Sequence, residues 1–205
     1  MDNFALLGQP RLPWLDPVAL KAAFLEQSTR LHPDRVLAAN PLEQAAATGR
    51  FAELNAAYNC LREPKERLLH LLELESGAPS ANVQSVPADT MDLLMETGQV
   101  CRQADQFLAA KSRAASPLLQ AQMFEQALDW TSRLQGLQER IQLRSGQLSA
   151  ELRAMNDAWM SAPPVSSPAR PGSLPLRRLE ELGRTFSYIA RCGGQIQERL
   201  AQLSF

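Results

Sequence analysis

The stretch Leu31-His32-Pro33-Asp34-Arg35 separates two long segments whose apolar residues recur with helical spacing. Because proline has a fixed φ and no backbone N–H, it ends a helix that runs into it. The fixed ring also lowers the entropy lost when a partner holds the loop. Asp34 offers a carboxylate and His32 a ring that donates and accepts hydrogen bonds, a combination suited to recognition. By itself, however, the stretch could equally be a helix-stopping turn capped by Asp34.

Helix signals flank this loop on both sides. Asp16 followed by Pro17 is a typical N-cap and first helical residue, which predicts a helix over residues 16–30. The same signal recurs at Asn40-Pro41 and opens a second helix. The short connection predicts an antiparallel hairpin with the loop at its tip. The apolar faces consist of Leu20, Phe24 and Leu31 in the first helix and of Phe51, Leu54, Tyr58 and Leu61 in the second.

The rest of the chain also has helical periodicity, without the alternating pattern of a strand, so we predict an all-α fold. A short Leu-rich segment, 65–74, precedes a stretch typical of a linker. We therefore predict a first domain over residues 1–76, a linker over 77–88 and a three-helix bundle over 89–205. The Pro- and Ser-rich residues 162–173 are expected to be an exposed, non-helical connection inside this bundle.

Three apolar registers define the helices of the predicted bundle. The last register has the alternating spacing of three and four that is typical of a coiled-coil seam. Gly193 and Gly194 interrupt it, and we expect them to mark a close helix approach or a kink. The registers are Met91, Leu94, Gly98, Cys101 and Leu108; then Leu134, Leu137, Ile141, Leu148, Leu152, Met155 and Trp159; then Leu179, Leu182, Phe186, Ile189, Gly193, Ile196, Leu200 and Leu203.

Composition and charge narrow the possible functions. Of 205 residues, 45% are hydrophobic and 21% are charged, as in ordinary soluble proteins. The formal net charge of −1 provides no basic field, so we expect no nucleic-acid partner. No run reaches about eighteen consecutive apolar residues, and no secretory or transit pattern opens the chain, so we expect no membrane association. Three isolated cysteines, Cys60, Cys101 and Cys192, favour free thiols in the cytoplasm.

The common catalytic patterns are missing from the sequence. It has two histidines, His32 and His70, and lacks HExxH, GxSxG and a Walker-type loop. We expect His70 to be a partly buried or surface residue rather than a base. The cysteine spacing predicts no zinc site. We therefore predict that the chain is not an enzyme and holds no metal or cofactor. The tryptophans Trp14, Trp130 and Trp159 are expected to pack between helices.

The His-Pro-Asp stretch between two antiparallel helices, followed by Arg35, resembles a J domain. In that family the loop acts on an Hsp70-class chaperone and triggers ATP hydrolysis there. The resemblance therefore implies a chaperone-binding site formed by His32, Pro33, Asp34 and Arg35. J domains also carry basic residues on the preceding helix, and the candidates here are Lys21 and Arg30. Both could instead belong to an ordinary solvated helix face.

Further features narrow the resemblance to the HscB type of iron-sulfur co-chaperone. That resemblance implies a bundle that binds an iron-sulfur scaffold protein of the IscU type and delivers it to a chaperone of the HscA type. The co-chaperone itself holds no metal. The matching features are the opening MDNFALLGQP of residues 1–10, the pair Leu15-Asp16, the stretch NAAY of residues 55–58, Leu61-Arg62, Pro64, the segment 67–74, the linker, the three-helix bundle and the terminal LSF of residues 203–205.

In the HscB family the scaffold binds the first helix of the bundle. The matching residues here are Leu94, Met95 and Glu96, which the resemblance implies as the client-binding site. Leu94 could instead be a core residue, whereas Met95 lies off the apolar register. Downstream the pattern departs, because Gly98, Gln99 and Arg102 stand where the family has a further leucine and acids.

Two alternatives stay open at this point. The chain could be a J-domain protein that serves another client, or a helical interaction protein whose His-Pro-Asp turn is incidental. We expect a monomer in either case.

Overall fold

A computed structural model describes residues 1–32, 41–77, 88–113 and 116–204, leaving out the side chains of residues 88, 89, 117 and 118. Pro33, Asp34 and Arg35 of the predicted chaperone site lie outside the described residues. Within the described ranges the regular elements are helices, and none of them is long and apolar enough to cross a membrane. The helices are α1 Asn3–Leu6, α2 Pro17–Leu31, α3 Pro41–Arg62, α4 Pro64–Ser76, α5 Ala88–Lys111, α6 Pro117–Met160, α7 Arg170–Ser173 and α8 Leu176–Leu203.

The predicted hairpin of α2 and α3 is confirmed. The Asp16 carboxylate accepts hydrogen bonds from the N–H groups of Val18 at 2.8 Å and Ala19 at 3.2 Å, so it caps α2 as the sequence indicates. Leu20 of α2 and Leu54 of α3 are buried in the shared core. Beside them the rings of Phe24 and Tyr58 stack with centroids 4.2 Å apart. Each helix therefore presents to its neighbour the apolar face that its periodicity predicts.

Helices α1 and α4 support the hairpin from the side. The buried guanidinium of Arg67 in α4 donates to the carbonyl oxygens of Pro13 at 2.9 Å and Leu61 at 2.6 Å. This one side chain thus joins α4 to the end of α3 and to the segment before α2. Gly77 ends α4 in the left-handed conformation, φ 69°, which glycine adopts without strain.

The three long helices of the predicted bundle, α5, α6 and α8, are all present, with two differences from the sequence expectation. Helix α6 begins at Pro117, well before the apolar register that starts at Leu134. In α5 the buried stripe is shifted, and Met91 is 40% exposed instead of in the core. The residues that α5 buries are Thr90, Thr97, Val100, Cys101, Ala104 and Phe107.

The chain forms two compact units, Met1–Asn82 with Ala150–Gly183, and Val83–Ser149 with Arg184–Phe205. In the first unit, Asn156 of α6 exchanges two hydrogen bonds with the backbone of Trp14, each 3.0 Å long. In the second unit, Arg140 of α6 bonds Glu96 of α5, and Arg199 of α8 bonds Asp105 of α5. The linker predicted at 77–88 lies mostly outside the described residues, so this boundary stays a prediction.

The expectation that residues 162–173 are exposed and non-helical was wrong in part. Arg170–Ser173 forms the short helix α7, in which Pro171 occupies a first-turn position that needs no N–H donor. The Arg170 side chain is 7% exposed, and its buried charge is compensated because the guanidinium donates to both carboxylate oxygens of Glu75, at 2.7 and 2.9 Å. It also donates to the carbonyl oxygen of Pro163 at 2.7 Å. A buried ion pair therefore fixes this segment onto α4.

The two glycines of α8 do not interrupt the helix. A Cβ atom at Gly193 would lie 3.8 Å from Cγ2 of Ile141, an ordinary contact, and a Cβ at Gly194 would meet open space. A close approach that only glycine permits is therefore absent at both positions. The buried residue in this part of the predicted seam is Cys192, one position before Gly193, which the register predicts.

Candidate functional site

His32 lies at the C-cap of α2, with φ −59° and ψ 130°. Its side chain is exposed. The imidazole and the Phe51 ring of α3 pack in a T-shaped arrangement, with ring centroids 5.4 Å apart and planes inclined by 72°. This geometry is favourable for aromatic pairs and it links the end of α2 to the middle of α3. The hairpin therefore presents His32 from a supported position.

A second aromatic contact lies below this pair on the same hairpin. Phe24 and Tyr58 stack nearly in parallel, at 13° between planes, and the Arg62 guanidinium lies 5.8 Å from the Tyr58 ring centroid. Phe51 and Tyr58 are separated by about two turns of α3, so both project from the same face. Contacts between rigid rings therefore hold α2 and α3 in a fixed register.

The basic residues predicted on α2 differ in their surroundings. Lys21 is exposed, and in the described ranges it makes no ion pair. Arg30 is also exposed, but its guanidinium donates to Glu26 one turn earlier, at 2.6 Å. Such pairs contribute only a few tenths of a kcal/mol, about 0.2 to 0.5 kcal/mol, so Arg30 can exchange Glu26 for another carboxylate. Arg35, the third basic candidate, lies outside the described residues.

The three predicted client-binding residues do not share one face of α5. Met95 is 67% exposed, consistent with its position off the apolar register. Leu94 and Glu96 flank it at about 100° on either side, and both are half-buried. Glu96 accepts a hydrogen bond from Arg140 at 2.6 Å, and this bond raises the pKa of Arg140. The carboxylate is thus already engaged, and Met95 is the accessible member of the three.

His70 has a structural position, as the sequence indicates. Its Nε2 atom accepts a hydrogen bond from the backbone N–H of Asn3 at 3.1 Å, and its ring stacks on Phe4 at 5.8 Å. Burial lowers the pKa of His70, which favours the neutral ring that this bond requires. Burial by itself would raise the pKa of the nearby Asp2 carboxyl. The hydrogen bonds that it accepts from Arg11 and from backbone N–H groups have the opposite effect, and together they lower the pKa.

The sequence did not predict a structural role for Arg67, which connects α4 to the hairpin that carries His32. It is 5% exposed and burial lowers the pKa of its guanidinium to about 10. Within the described ranges its hydrogen-bond partners are carbonyl oxygens, and no local pattern predicts such a partner.

The three cysteines are free thiols, and burial raises the pKa of Cys60, Cys101 and Cys192. Among the residues described, no three His, Cys, Asp or Glu side chains are grouped as metal ligands.

Comparison with known proteins identifies the architecture. No family model matches the chain. Among solved structures it is similar to chaperone HscB from Vibrio cholerae, with a TM-score of 0.59 and 20% identity over 99% of each chain. This chain has the fold of an HscB co-chaperone. The human co-chaperone HscB gives a TM-score of 0.58 and 15% identity, over 98% of this chain and 81% of that one.

The HscB fold confirms the predicted class, an all-α chain with a J domain and a C-terminal helical bundle. It extends over nearly the whole chain rather than over the hairpin alone. At 15–20% identity the likeness concerns the fold. Inferences about the activity and partners of this chain therefore rest on its own residues.

Proposed function

We propose that this chain is a co-chaperone that stimulates ATP hydrolysis by an Hsp70-class chaperone of the HscA type and delivers an iron-sulfur scaffold protein of the IscU type to it. The chaperone performs the hydrolysis, and the chain itself catalyses no reaction. His32, Pro33, Asp34 and Arg35 are the proposed chaperone-binding residues, with Lys21 and Arg30 on α2.

The observation that carries this proposal is the position of His32. It is exposed at the end of α2, supported by Phe51, and followed by Pro-Asp-Arg, in a chain whose whole length has the HscB fold. An incidental turn would account for the tripeptide. It would not account for the tripeptide, the hairpin and the bundle occurring together.

The chemistry of the loop suits binding to an enzyme better than catalysis. An exposed imidazole offers one donor and one acceptor, and Asp34 offers a carboxylate that an arginine of the chaperone can bind in a bidentate manner. Exposed Lys21 and Arg30 would attract an acidic surface of the chaperone. Because exposed charges are screened beyond about 10 Å at 0.1 M salt, chaperone stimulation should decrease as salt increases. Salt-independent stimulation would argue against a role for these two residues.

The client half of the proposal rests on Met95. A 67% exposed methionine on a helix of a bundle is an adaptable apolar contact for a partner surface. Leu94 and Glu96 would contribute at its edges, Glu96 after exchanging Arg140 for a partner group.

The direct test is steady-state ATP hydrolysis by an HscA-type chaperone, measured with and without this chain and an IscU-type scaffold. The matched variant is His32→Gln, which keeps a polar side chain of similar size and removes the ring. We expect synergistic stimulation by chain and scaffold, lost in His32→Gln, while the circular dichroism spectrum and scaffold affinity stay unchanged.

Other outcomes separate the alternatives. Stimulation by the chain that does not depend on the scaffold would support the J-domain function and indicate a different client. No stimulation of several Hsp70-class chaperones, by either form, would leave a helical interaction protein with an incidental His-Pro-Asp turn.

A further inference from the structure

Helix α5 has an outer face that is opposite its buried stripe. Four residues spaced by four, three and four positions fall within about 60° of one another on a helix. Two of them are exposed methionines, Met91 at 40% and Met95 at 67%. These four residues, called here the outer face of α5, are Met91, Met95, Gly98 and Arg102.

The guanidinium of Arg102 lies over the bare backbone of Gly98. Its Nη1 atom is 3.4 Å from the place where a Cβ atom of residue 98 would stand. Helical side chains tilt toward the N-terminus, so Arg102 extends along the face in the direction of Met95. A Cβ atom at residue 98 would be in ordinary contact with Nη1, so a side chain larger than alanine would compete with the guanidinium for this place.

This charge has no carboxylate partner in the described part of the chain. Helix positions three and four away are those that an arginine side chain reaches. Of these, Asp105 is the one acid, and both of its oxygens accept hydrogen bonds from Arg199 at 2.9 Å. The other three positions are Gly98, Gln99 and Gln106. The neighbouring acid Glu96 is likewise held by Arg140.

We propose that the outer face of α5 binds a client segment in which an apolar side chain is next to a carboxylate. The apolar side chain packs on Met91 and Met95, whose flexible thioethers fit irregular surfaces. The carboxylate bonds to the Arg102 guanidinium that lies over Gly98, because an unpaired guanidinium favours a bidentate acidic partner. The inference rests on the proposed function, since it specifies the client surface of the same helix.

The experiment is calorimetric titration of the full chain with an IscU-type scaffold, at about 0.1 M and about 1 M salt, where the Debye length falls from about 10 to about 3 Å. We expect Arg102→Glu to raise Kd at least tenfold at the lower salt, about 1.4 kcal/mol, because it places like charges together. At the higher salt the difference should shrink. The matched control is Arg191→Glu, the same charge change at an exposed position of α8, which should leave Kd within about twofold.

Charge reversal on the scaffold completes the test. One lysine substitution among its exposed acids should restore affinity for Arg102→Glu and weaken binding to the unaltered chain. If Met95→Ala weakens binding while Arg102→Glu does not, the client site stands and the acidic partner is wrong. If Arg102→Glu tightens binding, the client surface is basic and the inference fails. If the scaffold binds no form of the chain, the proposed client function fails and the inference with it.

Discussion

The imidazole of His32 and the ring of Phe51 pack in a T-shaped arrangement, with centroids 5.4 Å apart, at the C-terminal end of α2. The contact joins a residue that ends one helix to a residue in the middle of the next. The ring of Phe51 restricts the directions in which the exposed imidazole can point. In the proposed function, Phe51 is therefore a positioning residue for His32.

We expect Phe51→Leu to reduce chaperone stimulation two- to tenfold, while Phe51→Tyr retains it. An aromatic pair contributes about 0.5 to 1.5 kcal/mol beyond burial, and leucine keeps the burial without the aromatic ring. The measurements are maximal ATPase stimulation and the ring-proton chemical shifts of His32, which lose the ring-current effect in Phe51→Leu. If both variants stimulate the chaperone equally although the His32 ring protons shift in Phe51→Leu, the orientation of the His32 ring does not affect stimulation.

Met95→Ala is expected to weaken scaffold binding and to leave the free energy of unfolding nearly unchanged, because the side chain is 67% exposed. Leu94→Ala is the comparison, since Leu94 is half-buried and its truncation should affect stability. Calorimetric affinity and urea denaturation measure the two effects. If Met95→Ala instead lowered stability by roughly 2 kcal/mol or more with unchanged affinity, Met95 would be a core residue.

Breaking the buried pair of Glu75 and Arg170 should destabilise the chain strongly. Their side chains are 2% and 7% exposed, so Arg170→Met leaves a buried carboxylate without its partner, at a cost of about 3 to 5 kcal/mol. The double variant Glu75→Leu with Arg170→Met should recover much of the loss. Urea denaturation in a double-mutant cycle measures this coupling, and additive losses would contradict it.

Gly194→Ala should stabilise the chain by about 1 kcal/mol. The position is exposed inside a continuous helix, and a Cβ atom there meets no heavy atom within 4 Å. Alanine lowers the conformational entropy of the unfolded chain and favours the helix. Thermal unfolding should show an increase in Tm, and a decrease would indicate that α8 needs a glycine at this point.

Acidification should weaken the N-terminal segment through His70. Burial and, less strongly, the N-terminus and Arg11 lower its pKa, whereas Asp2 and Glu73 oppose this shift. The unfolded chain therefore takes up the proton more readily. The stabilisation is complete above the ordinary pKa of 6.5 and is lost as pH falls from 6.5 through the lowered folded value.

The matched variant for this pH effect is His70→Gln, whose amide oxygen can accept the Asn3 N–H without titrating. The free energy of unfolding, measured at about pH 7.5 and about pH 5, should fall less in the variant than in the unaltered chain. Equal losses would assign the pH dependence to other groups.

Local signals in the sequence determined the secondary structure well. Asp16-Pro17 predicts the start of α2, Pro33 its end, and the spacing from Leu179 to Leu203 predicts α8. Capping and helical periodicity act over a few residues, so they can be identified without the fold. The all-α class and the exposure of Met95 follow from them. Pro171 shows their limit, because a proline-rich stretch can still form the first turn of a helix.

Tertiary structure alone decided which distant groups meet. Arg170 pairs with Glu75, 95 residues away, and Asn156 bonds Trp14 across 142 residues. It also engaged Glu96 of α5 with Arg140 of α6. A side chain's partner depends on which surfaces the packed helices bring together, and burial makes an unpaired charge costly, so these pairings depend on the whole fold.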